Sequence, residues 1–240
     1  MLFQAEELGR RLPTRDARAL HLVETLRRGA GDQFDAGIVD GPVGKGRILG
    51  IGLEGLDWAF EPSTGTSRHY VGSDPLDPIE LVVGMPRPQT ARKILFDAAT
   101  LGVRALRFVM TEKGDASYRQ STLWSSGEWR RHVRAGLEQA FATREPEISY
   151  GESLPESINE LPDAATLIAL DNYEASAPLL SALPIVFPAA IFVGGERGWS
   201  AAERDLLRGK GATLHHLGRR VLRTETACVA ALALIRSQLH

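Results

Sequence analysis

From Glu80 to the end of the chain, short apolar runs alternate with longer segments whose apolar residues recur at helical spacing. The runs predicted as strands are ELVVGM from Glu80, RALRFVM from Arg104, TLIALD from Thr166, AIFVGG from Ala190 and TLHHLG from Thr213. Helices are predicted at about residues 89–101, 127–142 and 200–211, with a terminal helix through Leu239. Ser200 and Glu203 are spaced as a capping box. This alternation predicts an α/β fold.

Residues 1–72 have a different pattern, in which short β-like runs are separated by turn residues. The runs are QFDAGIV, GKGRILGIGLEG and LDWAFEP, and they predict a small β-barrel. A short helix is predicted before them at Ala17–Arg28. Its helically spaced apolar residues are Leu20, Val23 and Leu26. The segment SDPLDPI at 73–79 has the composition of a linker, so we predict two domains, 1–72 and 73–240.

The bulk composition is that of a globular protein. The chain has 240 residues, of which 43% are apolar, enough for one large or two small cores. Its longest apolar runs, AAIFV and CVAALALI, fall well short of the roughly 20 residues that cross a bilayer. The start MLFQAEELGRR lacks the basic-then-apolar order of a secretory signal. We therefore expect a cytoplasmic protein with no membrane contact.

The sequence offers no set of residues that would hold a metal. Cys228 is the single cysteine, which excludes an internal disulfide and a thiolate zinc cluster, and we expect it to be a small apolar helix residue. His215 and His216 are adjacent on a predicted strand, so their side chains point to opposite faces. We predict no metal site.

Several glycines lie close together near residue 45. A phosphate loop would need a helix to follow Gly44, Lys45 and Gly46, whereas a β-like run that includes Gly50 and Gly52 follows instead. We therefore interpret these glycines as hairpin-turn residues.

The net charge of −2 gives no overall attraction for a polyanion, so binding of nucleic acid would require local clusters of cations. Two such clusters are the N-terminal arginines Arg10, Arg11, Arg15, Arg18, Arg27 and Arg28, which nearby acidic residues dilute, and Arg130 with Arg131 and Arg134. The second lies on a predicted helix. It is either an ordinary solvated helix face or, with further arginines, a patch that contacts phosphates.

Two glycine turns, each directly after a predicted strand, are the most informative part of the chain. The first is FVGGERGWS from Phe192, and the second belongs to LGRRVLRTETA from Leu217. Glycine allows a backbone to approach a ligand closely because no side chain intervenes. The two turns are either a ligand site or two ordinary strand-to-helix loops.

LGRRVLRTETA resembles the signature of the RsmE family, the 16S ribosomal RNA uridine-N3 methyltransferases. FVGGERGWSAAE is similar to the family's IGPEGG-(F/L)-S-x-x-E, and ATLGV from Ala99 is similar to its ELGV. Glu138-Gln139 with Arg144 and Pro146-Glu147-Ile148 resembles its EQ-x-x-R-x-R-x-P-x-I. HLVETLRRGAGD and Val39-Asp40-Gly41 resemble two motifs near the family's N-terminus. The resemblance covers nearly the whole chain.

The resemblance implies a PUA-like barrel for RNA, followed by a SPOUT domain with a trefoil knot, in a homodimer with its site near the subunit interface. It implies S-adenosylmethionine as cofactor and the RNA of the small ribosomal subunit as substrate. The implied cofactor residues are Leu170, Gly194, Gly195, Glu196, Gly198, Leu217, Gly218, Val221, Leu222 and Arg223. The expected RNA contacts are Arg27, Arg28, Arg130, Arg131, Arg134 and Arg144. The expected catalytic residues are Arg223, Glu225 and Glu196.

The chain also departs from the family pattern. Gly195 and Arg197 replace the proline and the second paired glycine of GPEGG, while Glu24, Thr100 and Ala142 replace charged residues of the family motifs. Three hypotheses therefore remain: uridine-N3 methylation of ribosomal RNA, methylation of a different RNA, and binding of cofactor or RNA without methyl transfer.

Overall fold

The computed structural model describes residues 1–63 and 75–239, which form two compact units. The first unit contains Met1–Pro75 together with Leu137–Glu145, and the second contains Leu76–Gly136 and Pro146–His240. The predicted domain boundary between residues 72 and 73 lies outside the described residues. Part of the predicted linker, from Asp77 onward, is already a strand.

A curled five-stranded sheet forms the first unit, in the order β1-β3-β4-β5-β2. Its strands are β1 (Leu2–Phe3), β2 (Leu12–Pro13), β3 (Gln33–Ile38), β4 (Val43–Gly52) and β5 (Gly55–Pro62). The three strands predicted here are confirmed. Phe3 and Trp58 pack with their ring centroids 4.1 Å apart in the core of this sheet.

The N-terminal helix is shorter than predicted. Helix α1 (Ala17–Leu20) continues as one π-helical turn, His21–Thr25, and Arg27 then adopts a left-handed φ of 52°. The buried side of the helix also differs from the predicted one, and it does so already in α1, before the π-helical turn. Ala19 and Leu22 are buried. The predicted apolar stripe is exposed instead, at Leu20, Val23 and Leu26.

The interpretation of Gly44 and Gly46 as hairpin-turn residues is wrong, because both lie inside β4. A Cβ atom on Gly44 would lie 2.1 Å from the carbonyl oxygen of Glu61, and one on Gly46 would lie 2.2 Å from the ring of Phe34. A side chain at either position would collide with these neighbouring groups, which explains why both positions are glycine.

The short segment Leu137–Glu145 packs within the first unit, although the predicted division assigns it to the second domain. The backbone N–H of Leu2 donates to Oε1 of Glu138 at 2.8 Å. The hydroxyl of Thr143 donates to the carbonyl oxygen of Gly41 at 2.7 Å. These two hydrogen bonds join the segment to the N-terminal sheet.

The second unit is built on a seven-stranded parallel sheet in the order β10-β12-β9-β11-β6-β7-β8. Its strands are β6 (Asp77–Gly84), β7 (Val103–Met110), β8 (Glu147–Ser153), β9 (Thr166–Leu170), β10 (Ala177–Pro178), β11 (Ala189–Val193) and β12 (Thr213–His216). Every residue of β11 is buried, which is typical of a parallel strand covered on both faces. The predicted α/β class is confirmed.

Helices follow most of these strands. They are α2 (Pro88–Thr100), α3 (Thr122–Ser125), α4 (Trp129–Ala140), α5 (Leu154–Asn159), α6 (Ala201–Gly209) and α7 (Thr224–Arg236). The predicted capping box of Ser200 and Glu203 is confirmed at the start of α6. Across residues 1–63 and 75–239, the helices are too short or too polar to cross a bilayer.

Candidate functional site

A cavity of about 570 Å³ lies where β9, β11 and β12 end. The segments that follow these strands line it, together with the first turns of α2 and α7. Ligands of parallel α/β sheets bind at this carboxyl edge. All the predicted cofactor residues except Gly218 line the cavity: Leu170, Gly194, Gly195, Glu196, Gly198, Leu217, Val221, Leu222 and Arg223.

The turn after β11 can form only with glycine at several positions. Gly198 has a φ of +64°, and its N–H donates to the carbonyl oxygen of Gly195 at 2.9 Å. A Cβ atom on Gly194 would lie 2.9 Å from the Cα of Gly198, and one on Gly84 would lie 2.6 Å from the nitrogen of Gly195. We call Gly194–Gly198 the glycine turn. It leaves backbone groups open to the cavity.

The turn after β12 leads directly into α7. Gly218 has a φ of +107°, and its N–H donates to Nδ1 of His216 at 3.1 Å. Val221 is 80% exposed at the rim of the cavity. Arg223 is the N-cap residue of α7. Gly218 itself does not line the cavity, but its left-handed backbone gives the turn its shape.

The three residues predicted to be catalytic line the same cavity. Oε1 of Glu196 accepts hydrogen bonds from the backbone N–H of Arg87 at 3.0 Å and from its Nε at 3.3 Å. Nζ of Lys93 donates to Oε1 of Glu225 at 3.0 Å. No carboxylate of the described residues lies within ion-pair distance of Arg223. Of the three residues, the two carboxylates are held by hydrogen bonds, whereas the donors of Arg223 remain available.

Burial raises the pKa of Glu225, but hydrogen bonds from its own backbone N–H and from Lys93 outweigh this effect. The charges of Lys93 and Arg223 act in the same direction, so the pKa lies below its usual value. Burial and the charge of Glu225 raise the pKa of the neighbouring Asp97. Glu225 is therefore an anion at neutral pH.

A buried ion pair supports the cavity from the end of β9. Oδ2 of Asp171 accepts a hydrogen bond from Nε of Arg204 at 2.8 Å, and its Oδ1 accepts from the backbone N–H of Tyr173 and Glu174. Burial raises the pKa of Asp171, but these hydrogen bonds outweigh it and lower the pKa overall. The indole N–H of Trp199 donates to the carbonyl oxygen of Leu170 at 3.2 Å and joins two lining segments.

Sequence reasoning missed Arg87, Lys93 and Asp171. Arg87 follows a predicted strand, Lys93 lies in the first turns of the next helix, and Asp171 ends the predicted run TLIALD, so all three lie at the same edge of the sheet. The sequence signal for them is PRP at 86–88, directly after the predicted strand ELVVGM, which is a third strand-to-helix turn like the two glycine turns.

The six predicted RNA contacts divide equally between the two units. Arg27, Arg28 and Arg144 are exposed in the first unit. In the second, Arg130 lies over the ring of Trp129 at 4.3 Å, Arg131 pairs with Glu128 at 3.4 Å, and Arg134 is half-buried.

The described residues hold no cluster of three or more histidine, cysteine or acidic residues at metal-binding geometry. Cys228 is buried in α7, where burial and the charges of Asp97 and Glu225 raise the pKa of its thiol. A neutral thiol of this kind is a poor nucleophile and a poor metal ligand.

Residues 73–236, which hold the parallel sheet, match the model of the family described as RNA methyltransferase domain. The chain belongs to this family, and within it to the RsmE group of ribosomal RNA small subunit methyltransferases. It is 34% identical to ribosomal RNA small subunit methyltransferase E of Treponema pallidum, over 100% of this chain and 91% of that protein. It is 28% identical to ribosomal RNA small subunit methyltransferase E 1 of Borreliella burgdorferi, over 100% and 98%.

Among solved structures, the ribosomal RNA small subunit methyltransferase E of Neisseria gonorrhoeae bound to S-adenosyl methionine has a TM-score of 0.76. The alignment covers 99% of this chain and 97% of that one at 21% identity, so it shows a common fold.

Proposed function

We propose that this protein transfers the methyl group of S-adenosylmethionine to N3 of a uridine in the RNA of the small ribosomal subunit. The observation that carries the proposal is the cavity at the ends of β9, β11 and β12, in a chain that matches a curated ribosomal RNA methyltransferase along its whole length. The Treponema pallidum and Neisseria gonorrhoeae proteins are named as ribosomal RNA small subunit methyltransferases, and the latter binds S-adenosyl methionine.

The residues of the cavity fit this cofactor. Its volume of about 570 Å³ falls within the range of roughly 300–1,000 Å³ for sites that enclose a small molecule. Leu170, Leu217 and Leu222 offer apolar surface for an adenine ring, and the two glycine turns offer backbone groups for its polar edge. The carboxylates of Glu196 and Glu225 offset the positive charge of a sulfonium.

S-adenosylmethionine supplies an electrophilic methyl group on a sulfonium when it is bound. The protein must hold a uracil N3 in line with that methyl and accept the N3 proton as the new N–C bond forms and the S–C bond breaks. We assign the proton to Glu196 or Glu225, both of which line the cavity. Arg223 stabilises the negative charge that develops on the uracil.

The finer architecture belongs to the same proposal. We assign a trefoil knot to the second unit and a PUA-like role in RNA binding to the curled sheet of the first.

A homodimer is supported by exposed apolar side chains in the segment that leads into α7 and on α7 itself. Val221 is 80% exposed and Val229 is 37% exposed. The six arginines named above would contact phosphates of the RNA. We place this methylation of ribosomal RNA in the cytoplasm.

A second candidate is methylation of a different RNA. It is favoured by Arg197, which replaces a family glycine, lines the cavity and donates from Nη1 to the carbonyl oxygen of Lys113 at 3.4 Å. An added cation beside the site changes which RNA groups are attracted to it.

Two measurements test the proposal. Calorimetry with S-adenosylmethionine is expected to show binding, and its absence at millimolar ligand would exclude both candidates. Nucleoside analysis of small-subunit RNA from a strain that lacks the gene is expected to show loss of one 3-methyluridine. Retention of 3-methyluridine in that strain would exclude the ribosomal substrate and favour the second candidate.

A further inference from the structure

A second, smaller cavity adjoins the first at the glycine turn. Its volume is about 210 Å³, and Gly195, Glu196, Arg197 and Gly198 line both cavities, as does Arg87. The rest of its lining comes from the end of β6 and from the segment after β7. The same short stretch of backbone therefore faces both spaces.

The size of this cavity limits what it can hold. At about 210 Å³ it lies below the roughly 300–1,000 Å³ of sites that enclose whole small molecules. A single nucleobase fits these dimensions better than a nucleoside cofactor does. Enzymes that modify a base turn it out of its stack into a close-fitting pocket and stack it on an aromatic side chain. Half-buried Tyr118 is the aromatic residue of this lining.

The charges of the cavity also suit a base and its phosphate. Arg87, Lys113 and Arg197 are cations, and Glu196 and Asp115 are the carboxylates that oppose them. The side chain of Arg87 donates one hydrogen bond to Glu196, and that of Arg197 donates one to the carbonyl oxygen of Lys113. Nζ of Lys113 donates to the carbonyl oxygen of Trp199 at 2.7 Å. Because arginine has five donor hydrogens and lysine three, further donors remain for uracil carbonyls or a phosphate.

Glu196 connects the two cavities chemically as well as spatially. Its carboxylate is in the lining of both, and Arg87 holds it by two hydrogen bonds. A base in the smaller cavity that points its Watson–Crick edge at the glycine turn would bring N3 toward both this carboxylate and the larger cavity.

We propose that the smaller cavity receives the target base as a single flipped-out pyrimidine, stacked on Tyr118 and contacted by Arg197 and Lys113. This inference rests on the proposed function and adds the position of the substrate to it. It also gives Arg197, the departure from the family pattern, a role in holding RNA.

Steady-state transfer to small ribosomal subunits from the deletion strain tests the inference, with calorimetry of S-adenosylmethionine run beside it. Tyr118→Ala is expected to lower kcat/KM for the subunits on the order of 10- to 100-fold, because stacking of one base is lost. Its affinity for S-adenosylmethionine is expected to stay within about twofold of wild type. Tyr118→Phe is expected to recover most of the loss, because the ring is kept.

Tyr150→Ala is the matched control. Tyr150 belongs to the same unit and stacks on Trp124, with centroids 4.6 Å apart, outside the lining of both cavities. If Tyr118→Ala does not fold, Arg197→Ala and Arg197→Lys are compared in its place. Arg197→Ala is then expected to lower kcat/KM for the subunits but not the affinity for S-adenosylmethionine, and Arg197→Lys, which keeps the positive charge, is expected to recover part of the loss. Wild-type kinetics in Tyr118→Ala, or a loss of cofactor affinity equal to its loss of rate, would overturn the inference. A wild-type protein that binds cofactor but leaves subunits unmethylated would instead overturn the proposed function.

Discussion

Glu196 accepts two hydrogen bonds from Arg87, one from its backbone N–H at 3.0 Å and one from its Nε at 3.3 Å. The backbone bond fixes one carboxylate oxygen whatever the position of the arginine side chain. The turn after β6 and the turn after β11 are thereby joined at the residue that lines both cavities.

Glu196→Gln keeps the acceptor oxygen for Arg87 but removes the charge and the ability to take a proton. If Glu196 accepts the N3 proton, kcat for methyl transfer is expected to fall by about 100-fold. Cofactor affinity, measured by calorimetry, is expected to change much less. The control is Glu112→Gln, which alters an exposed glutamate of the same unit outside both cavities. An unchanged kcat would assign the proton to another group.

Gly84→Ala is expected to weaken cofactor binding although Gly84 does not line the cavity. The new Cβ atom would lie 2.6 Å from the nitrogen of Gly195 and would push the glycine turn out of place. We expect a loss of S-adenosylmethionine affinity of at least 10-fold by calorimetry. Gly209→Ala is the matched control, since its Cβ atom would meet nothing within 4 Å. Equal affinity in the two variants would contradict the packing argument.

Lys93→Met is expected to shift the acid limb of the pH–rate profile to higher pH. Lys93 lowers the pKa of Glu225 by a hydrogen bond and by its charge, so its removal raises that pKa. If Glu225 must be charged for transfer, activity is then lost at a higher pH. Lys210→Met is the control, because it removes a lysine that is hydrogen-bonded to Asn159, and the pH of the acid limb should not change in this variant. An unshifted limb in Lys93→Met would exclude a role for the charge of Glu225.

Glu128 is expected to make the protein sensitive to acid. Hydrogen bonds from Arg92 and His132 lower its pKa from 4.5 to about 2, so its contribution to stability is complete above 4.5. That contribution is lost as the pH falls from 4.5 toward about 2. The difference in thermal midpoint between wild type and Glu128→Gln should therefore shrink over this interval. Asp163→Asn, at an exposed carboxylate, should show no such convergence.

The sequence predicted strands best where consecutive residues of a strand are all buried. β11 consists of apolar residues covered on both faces, and β6 is buried from Ile79 to Gly84 with Glu80 as its charged member. Such runs predict strands with little ambiguity. β8 was missed because its residues are mostly half-exposed and polar, which is usual for a strand at the edge of a sheet. The glycine turns were found because close backbone approach excludes other residues.

The remaining site residues depend on tertiary structure. Nothing in the spacing of Lys93 and Glu225 indicates an ion pair, because the contact arises when α2 and α7 pack together. The apolar stripe of the N-terminal helix was misplaced because the buried side carries Ala19 and Leu22, and an alanine adds little to an apolar pattern.

The first unit is assembled from two separate pieces of chain, Met1–Pro75 and Leu137–Glu145. Two of the hydrogen bonds between the pieces join a backbone group of the first, the N–H of Leu2 or the carbonyl oxygen of Gly41, to a side chain of the second, Glu138 or Thr143. A fragment that ends at Pro75 would leave both backbone groups without these partners. The first unit therefore cannot be excised as one continuous stretch of chain.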